Sequence, residues 1–270
     1  MILILFMSIA INASAFAQAK LAARNQHMLY SDILGQDREI IVGLPSNYTE
    51  NKKYPVLYLL DGEQYFLMAH GVLDFLHNRA EKTPDIILVA ISNIYRNTDL
   101  TPVNSSDDPN STSLEDTGGA DNFLNFIKQE LRPFIIENYS TSGNNILFGH
   151  SAAGLFAAYS FLEEPRLFNH YITSDPSLWY GDGMLIDTLK TNKMSYYGLD
   201  KTVFLTQINR ASDEEDIMSE PQNEFMKQLD GLRNIQTAKI LIEDENHSTV
   251  PLKSLYQGLT FIFQNANPEE

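Results

Sequence analysis

Apolar residues in this chain fall into short unbroken runs, and between them lie longer stretches of helical spacing. "DREIIVGL", Asp37 to Leu44, alternates polar and apolar positions and stops at Pro45, which reads as a half-exposed strand. "YPVLYLL", Tyr54 to Leu60, is apolar throughout and ends at Asp61-Gly62, a buried strand followed by a turn. Ile86 to Ile91 and Asn145 to Gly149 repeat that form, and Tyr171 to Ser174, Thr202 to Thr206 and Ala238 to Glu243 are further strands. Helical periodicity covers Gln64 to Arg79, Asp121 to Asn138, Ala152 to Leu162, Pro221 to Leu232 and Pro251 to Gln264. Buried strands separated by helices require crossover connections, so the pattern predicts an α/β fold: a mainly parallel sheet with helices on both faces. No internal repeat or domain boundary interrupts it, and a single domain over 18–270 is expected. The polar segment Thr101 to Gly119 is a long loop, of a length that is usually functional or disordered.

Ligands of such sheets sit beyond the carboxyl ends of the strands. Ser151 follows the Asn145–Gly149 strand, between a buried run and a helix. Asp61, Gly62 and Glu63 follow Tyr54–Leu60. The acidic run Asp213, Glu214, Glu215 and Asp216 follows Thr202–Thr206, and His247 follows Ala238–Glu243. A hydroxyl, an acid and an imidazole thus appear in the chain order of α/β-hydrolases. A serine hydroxyl is a weak nucleophile at neutral pH and needs an imidazole to take its proton. The imidazole needs a carboxylate to hold its tautomer and steady its cation. The sharp turn that exposes the serine demands small neighbours, and Gly149, Ala152, Ala153 and Gly154 are small. The oxyanion needs two N–H donors. Ala152 offers one from the start of its helix, and Glu63 the other from its turn.

Composition narrows the partners. Lys and Arg number 19 against 35 Asp and Glu, a net charge of −16. That balance argues against nucleic acid and anionic membrane surfaces. With no cysteine, disulfides, thiolate catalysis and cysteine metal sites are excluded. The first residues, "MILILFMSIAINASAFAQ", form an apolar run ending in Ala15-Phe16-Ala17, the small-x-small pattern of a signal peptidase site. Ser8, Asn12 and Ser14 interrupt it, and it is shorter than the ~20 residues a spanning helix needs. The expectation is a signal peptide over 1–17, cleaved after Ala17, and a periplasmic or secreted protein without a membrane segment. The sequons at Asn47, Asn104, Asn110 and Asn138 matter only in a eukaryotic host.

The segments "YPVLYLLDGEQYF", "YRNTDLTP", "GGADNFLNFIKQELRPFIIENY", "ILFGHSAAGLFAAYSFLEEPRLFNHYITSDPSLWY" and "ENHSTVP" together resemble the esterase family of α/β-hydrolases that includes enterochelin esterases, feruloyl esterases, S-formylglutathione hydrolase and mycolyltransferases. The resemblance runs from about Met28 to Phe263, and "RNTDLTP" is most similar to the siderophore-esterase branch. It implies Ser151 as nucleophile, His247 as base and the N–H groups of Glu63 and Ala152 as oxyanion donors. It implies no cofactor and no metal, and a small-molecule ester as substrate. Two departures stand out. Ala153 replaces the last glycine of Gly-x-Ser-x-Gly. The run "QINRASDEED" offers four acids but lacks the glycine turn that usually precedes the triad acid. Glu214 is favoured, then Asp213, then Asp216.

Arg96 and Asp99 are expected either to pair with each other or to leave Arg96 facing an anionic substrate group. Trp179, in "DPSLWY", is expected either to line the pocket or to anchor the turn. His150 is read as packing near the serine turn, and His70 and His77 as structural. The expected activity is a serine carboxylesterase acting through an acyl-enzyme on a siderophore lactone or related ester. The alternatives are an inactive binding protein of the same fold, an acyltransferase, and a feruloyl-type carbohydrate esterase.

Overall fold

The computed structural model of the protein describes residues 24–104, 117–210 and 216–264. Eight strands form one sheet: β1 (Arg24–Ser31), β2 (Gln36–Gly43), β3 (Tyr54–Leu59), β4 (Ile87–Ile91), β5 (Thr141–His150), β6 (His170–Ser174), β7 (Lys201–Ile208) and β8 (Ile235–Ile242). Their spatial order is β1-β2-β4-β3-β5-β6-β7-β8. β1 and β2 pair antiparallel, as do β2 and β4; every pair from β4 to β8 is parallel. The chain thus has the mainly parallel sheet of the α/β-hydrolase fold.

The helices are α1 (Gly62–Asn78), α2 (Arg96–Leu100), α3 (Ala120–Phe126), α4 (Arg132–Asn138), α5 (Ala152–Glu163), α6 (Tyr180–Thr191), α7 (Ser219–Asp230) and α8 (Val250–Gln264). The two faces of the sheet sort the apolar side chains by the strand period of two. Leu57, Leu59, Ile146 and Phe148 pack with Leu73 and Leu76 of α1 and with Leu255 and Leu259 of α8. Val56, Tyr58 and Leu147 point the other way, onto Phe123, Phe156, Leu185 and Phe225 of α3, α5, α6 and α7. Both faces are covered, which is why the central strands are apolar throughout instead of alternating.

Three features depart from the sequence reading. β1 carries few apolar residues, because as an edge strand it is largely exposed. The helix expected from Asp121 to Asn138 contains a π turn at Ile127–Leu131. This turn ends shortly before Pro133, which lies in the first turn of α4, where a missing N–H costs least. α6 begins with Gly181, Asp182 and Gly183 at positive φ (58°, 55° and 81°), a kink that hides its periodicity.

Candidate active site

Ser151 sits between β5 and α5 at φ 59°, ψ −119°. This conformation is costly for a residue with a Cβ, and it persists because the surroundings fix it. Ser151 N–H donates to the Ser174 carbonyl (3.0 Å). The Ser151 carbonyl accepts from Leu155 N–H (3.0 Å) and Ser177 N–H (3.1 Å). Two residues earlier, a Cβ on Gly149 would be driven into the Ala153 carbonyl, so the turn admits only glycine there. At Ala153, by contrast, the methyl is fully buried in the core, and the departure from the expected glycine is accommodated.

His247 lies on the turn between β8 and α8. Asn246 Oδ1 accepts from the N–H groups of Ser248 (2.9 Å) and Thr249 (3.2 Å), and Thr249 Oγ1 accepts from Asn246 N–H (3.1 Å). This capped turn presents the imidazole. Its Nε2 is 3.0 Å from Ser151 Oγ and its Nδ1 is 2.6 Å from Asp175 Oδ2. A carboxylate only accepts, so Nδ1 carries the hydrogen and Nε2 turns its lone pair to the serine.

The carboxylate that meets His247 is Asp175, one residue beyond β6, where the sequence pointed to the 213–216 run after β7. Asp213 and Glu214 lie outside the described residues, but the single Nδ1 hydrogen of His247 is already given to Asp175. Asp216 has other work: its Oδ1 accepts from Met218 N–H (2.9 Å) and Ser219 N–H (3.1 Å) at the start of α7. Beyond β7 stands a cation, Arg210, whose guanidinium forks onto Asp175. Gln222 of α7 donates to the same carboxylate (3.1 Å). Burial alone raises the Asp175 carboxyl, but the hydrogen bonds from His247, Arg210 and Gln222 outweigh it and hold the group at about 2. Asp175 is therefore ionised near pH 7.

His150 is buried against the triad. Its ring lies 4.5 Å from that of His247, and its Nδ1 is 3.2 Å from the Tyr65 hydroxyl. Burial and the neighbouring His247 lower it to about 4, so it is neutral near pH 7. His77 ties the end of α1 to Thr83 O (2.9 Å) and Asp85 (3.0 Å).

The second half of the site is the β3 turn. Asp61 adopts a left-handed conformation (φ 54°, ψ 45°) and starts α1. Gly62 follows it because a Cβ there would come within 2.7 Å of Ile91 N. Glu63 N–H is at the second position of α1 and Ala152 N–H at the first of α5, where helix geometry supplies no acceptor. The expected Arg96–Asp99 pair is not formed. Asp99 faces inward and takes both terminal nitrogens of buried Arg38 (2.7 and 2.8 Å). Arg96 faces the turn, with Nε 2.7 Å and Nη2 2.9 Å from the Asp61 carboxylate. Asn93 bonds Asp61 and both oxygens of Glu63. Trp179, four residues past Asp175, is 41 % exposed, so it is half-buried. Among the described residues, no group of three or more His, Asp or Glu is arranged to hold a metal ion, and no helix is long and apolar enough to cross a membrane.

A family described as "Putative esterase" matches residues 31–220, a span that includes Ser151, Asp175 and Arg210. The chain belongs to this esterase family. Among its esterase relatives, the siderophore enterobactin esterase of Emericella nidulans is 29% identical over 169 residues, 55% of this chain and 56% of that protein. The siderophore triacetylfusarinine C esterase of Aspergillus fumigatus is 26% identical over 245 residues, 78% of this chain and 82% of that one. An IroE-like serine hydrolase from Shewanella oneidensis superposes with a TM-score of 0.81 at 29% identity, covering 91% of this chain and 82% of that structure. The chain spans little more than half the length of the Emericella relative.

Proposed function

We propose that the protein is a serine carboxylesterase that works through an acyl-enzyme, and that its substrate is a siderophore ester. The observation that carries the reading is the hydrogen-bonded relay from Ser151 Oγ through His247 to Asp175. The hydroxyl donates toward Nε2, so attack on an ester carbonyl passes the serine proton to His247 as the new C–O bond forms. Asp175, ionised and held by Arg210 and Gln222, steadies the imidazolium. The carbonyl oxygen becomes an oxyanion between Glu63 N–H and Ala152 N–H. Collapse of the intermediate breaks the bond to the alcohol, which leaves with the proton from His247. Water then repeats the sequence: His247 takes its proton, the hydroxide adds to the acyl carbon, and Ser151 departs with the proton returned.

The siderophore assignment rests on the relatives, whose names specify enterobactin and triacetylfusarinine C as esters they cleave. An inactive binding protein has little reason to keep Ser151 in a strained turn aimed at an oriented imidazole. Export belongs to the same reading, on the apolar run ending Ala15-Phe16-Ala17; a mature protein that starts at Gln18 supports it, and one that retains Met1 contradicts it.

Chromatographic assay on a trilactone siderophore, a feruloyl sugar and a short acyl ester tests the substrate. The expected result is opening of the trilactone at a kcat/KM well above the other two, abolished in Ser151→Ala. Preference for the feruloyl sugar, or transfer to an added alcohol in place of hydrolysis, contradicts it.

A further inference from the structure

An ionised carboxylate has about four acceptor positions, and those of Asp175 are all used. Oδ1 takes Arg210 Nη1 (3.0 Å) and Gln222 Nε2 (3.1 Å). Oδ2 takes Arg210 Nη2 and His247 Nδ1 (2.6 Å). The Arg210 side chain is 8% exposed and that of Asp175 0%. Gln222, also buried, holds the Pro176 carbonyl (3.0 Å) with the same nitrogen. His247, whose side chain is 41% exposed, and a guanidinium therefore share one oxygen of a carboxylate that is itself buried, where a nearby charge is screened less than at the surface.

This geometry has a consequence for the base. A carboxylate alone behind an imidazole raises its hold on a proton, because the opposite charge favours the cation. A guanidinium on the far side of that carboxylate opposes the effect. We propose that Arg210 is a positioning residue of the triad: its fork fixes the orientation of Asp175 and withholds part of the negative charge from His247, so that the imidazole remains an unprotonated base to lower pH than an Asp–His pair alone allows. The proposal rests on the reading of Ser151, His247 and Asp175 as the reacting triad.

The other charged and titratable groups near the triad come from several elements, and one of them, Asp216, is paired with Arg210 itself. His150 faces the imidazole from the end of β5. Asp61 with Arg96 comes from the β3 turn. Asp244 and Glu245, on the histidine's own turn, are paired with Lys253 (2.6 and 2.9 Å). Glu243 accepts from Asn209 (2.5 Å). Asp216 lies 3.9 Å from Arg210 Nε.

The test compares Arg210→Gln, which removes the charge, with Arg210→Lys, which keeps the charge but loses the fork. Two quantities are read: the pH profile of kcat/KM on a p-nitrophenyl ester, and the carbon-13 titration of His247 in histidine-labelled protein. Arg210→Gln is expected to move the acid limb and the titration to higher pH by about 0.5–1 unit, the low end for a charge acting through an intervening group. Arg210→Lys is expected to lower kcat with the limb unmoved. A limb in Arg210→Gln within about 0.2 unit of wild type overturns the proposal, since a charge this close and buried has to register. If circular dichroism shows Arg210→Gln unfolded, the Lys variant decides, and an acid limb displaced there contradicts the charge argument. The His247 titration reads the Arg210 effect without turnover. It therefore separates failure of this proposal from failure of the triad reading, which shows instead as full activity in Ser151→Ala.

Discussion

Asp175 decides most of the chemistry at the scale of single residues. It is fully buried, yet its donors keep its carboxyl at about 2 against an ordinary 3.8. A depressed acid of this kind stabilises the fold fully above its ordinary value of 3.8, and that contribution is lost as the pH falls from there through about 2. On mild acidification the carboxylate therefore stays charged. Asp175→Asn turns an amide N–H toward Nδ1 and forces the wrong tautomer, so kcat is expected to fall by about 10³–10⁴. The double change Asp213→Asn, Glu214→Gln is expected to stay near wild type. Steady-state kinetics of the two variants check this, and the reverse outcome would return the acid to the 213–216 run. Ser151, His247 and the small residues of the serine turn were legible in the sequence, because the chemistry demands those types at that turn. Asp175 was not, although it directly follows the predicted strand Tyr171–Ser174. Chain order admits both Asp175 and the 213–216 run, the family resemblance favours the loop after β7, and no local pattern reveals that Arg210 from that loop turns onto Asp175. The one available signal was an acid at the carboxyl end of a buried strand.

Among the elements, α2 is a strut between the sheet and the β3 turn. Its two charged residues point opposite ways, Asp99 into the core on Arg38 and Arg96 onto Asp61. From the sequence the two are expected either to pair with each other or to leave Arg96 facing an anionic substrate group. Each finds a tertiary partner instead, on β2 and on the β3 turn. The arrangement separates two roles for Arg96. If it holds the turn that carries Glu63 N–H, Arg96→Ala lowers kcat on a neutral p-nitrophenyl ester by about 10- to 100-fold, somewhat less than outright loss of an oxyanion donor. If it contacts only an anionic group of the substrate, the neutral ester is unaffected and KM rises for charged esters alone. The first result is expected, from kcat and KM measured on both ester types. The buried strands and long helices could be read because both sheet faces are covered and apolar runs are unbroken. β1 and α6 could not, one being a largely exposed edge and the other starting in a positive-φ kink.

On the scale of the whole molecule, the parallel order from β4 to β8 gathers the carboxyl ends of β3, β5, β6, β7 and β8 on one edge. Each contributes one part: the Glu63 turn, Ser151, Asp175, Arg210 and His247. The fold class was legible from the alternation of strands and helices, and so was the edge on which the site lies. Which loop meets which depends on crossings that a linear pattern does not encode. On the proposed function, these loops together make one activated serine. Reaction with a fluorophosphonate, followed by peptide mass mapping, tests it most directly. The expected result is a single adduct on Ser151, absent in Ser151→Ala and formed far more slowly in His247→Gln. An unlabelled wild-type protein, or a label that persists in Ser151→Ala, contradicts the account.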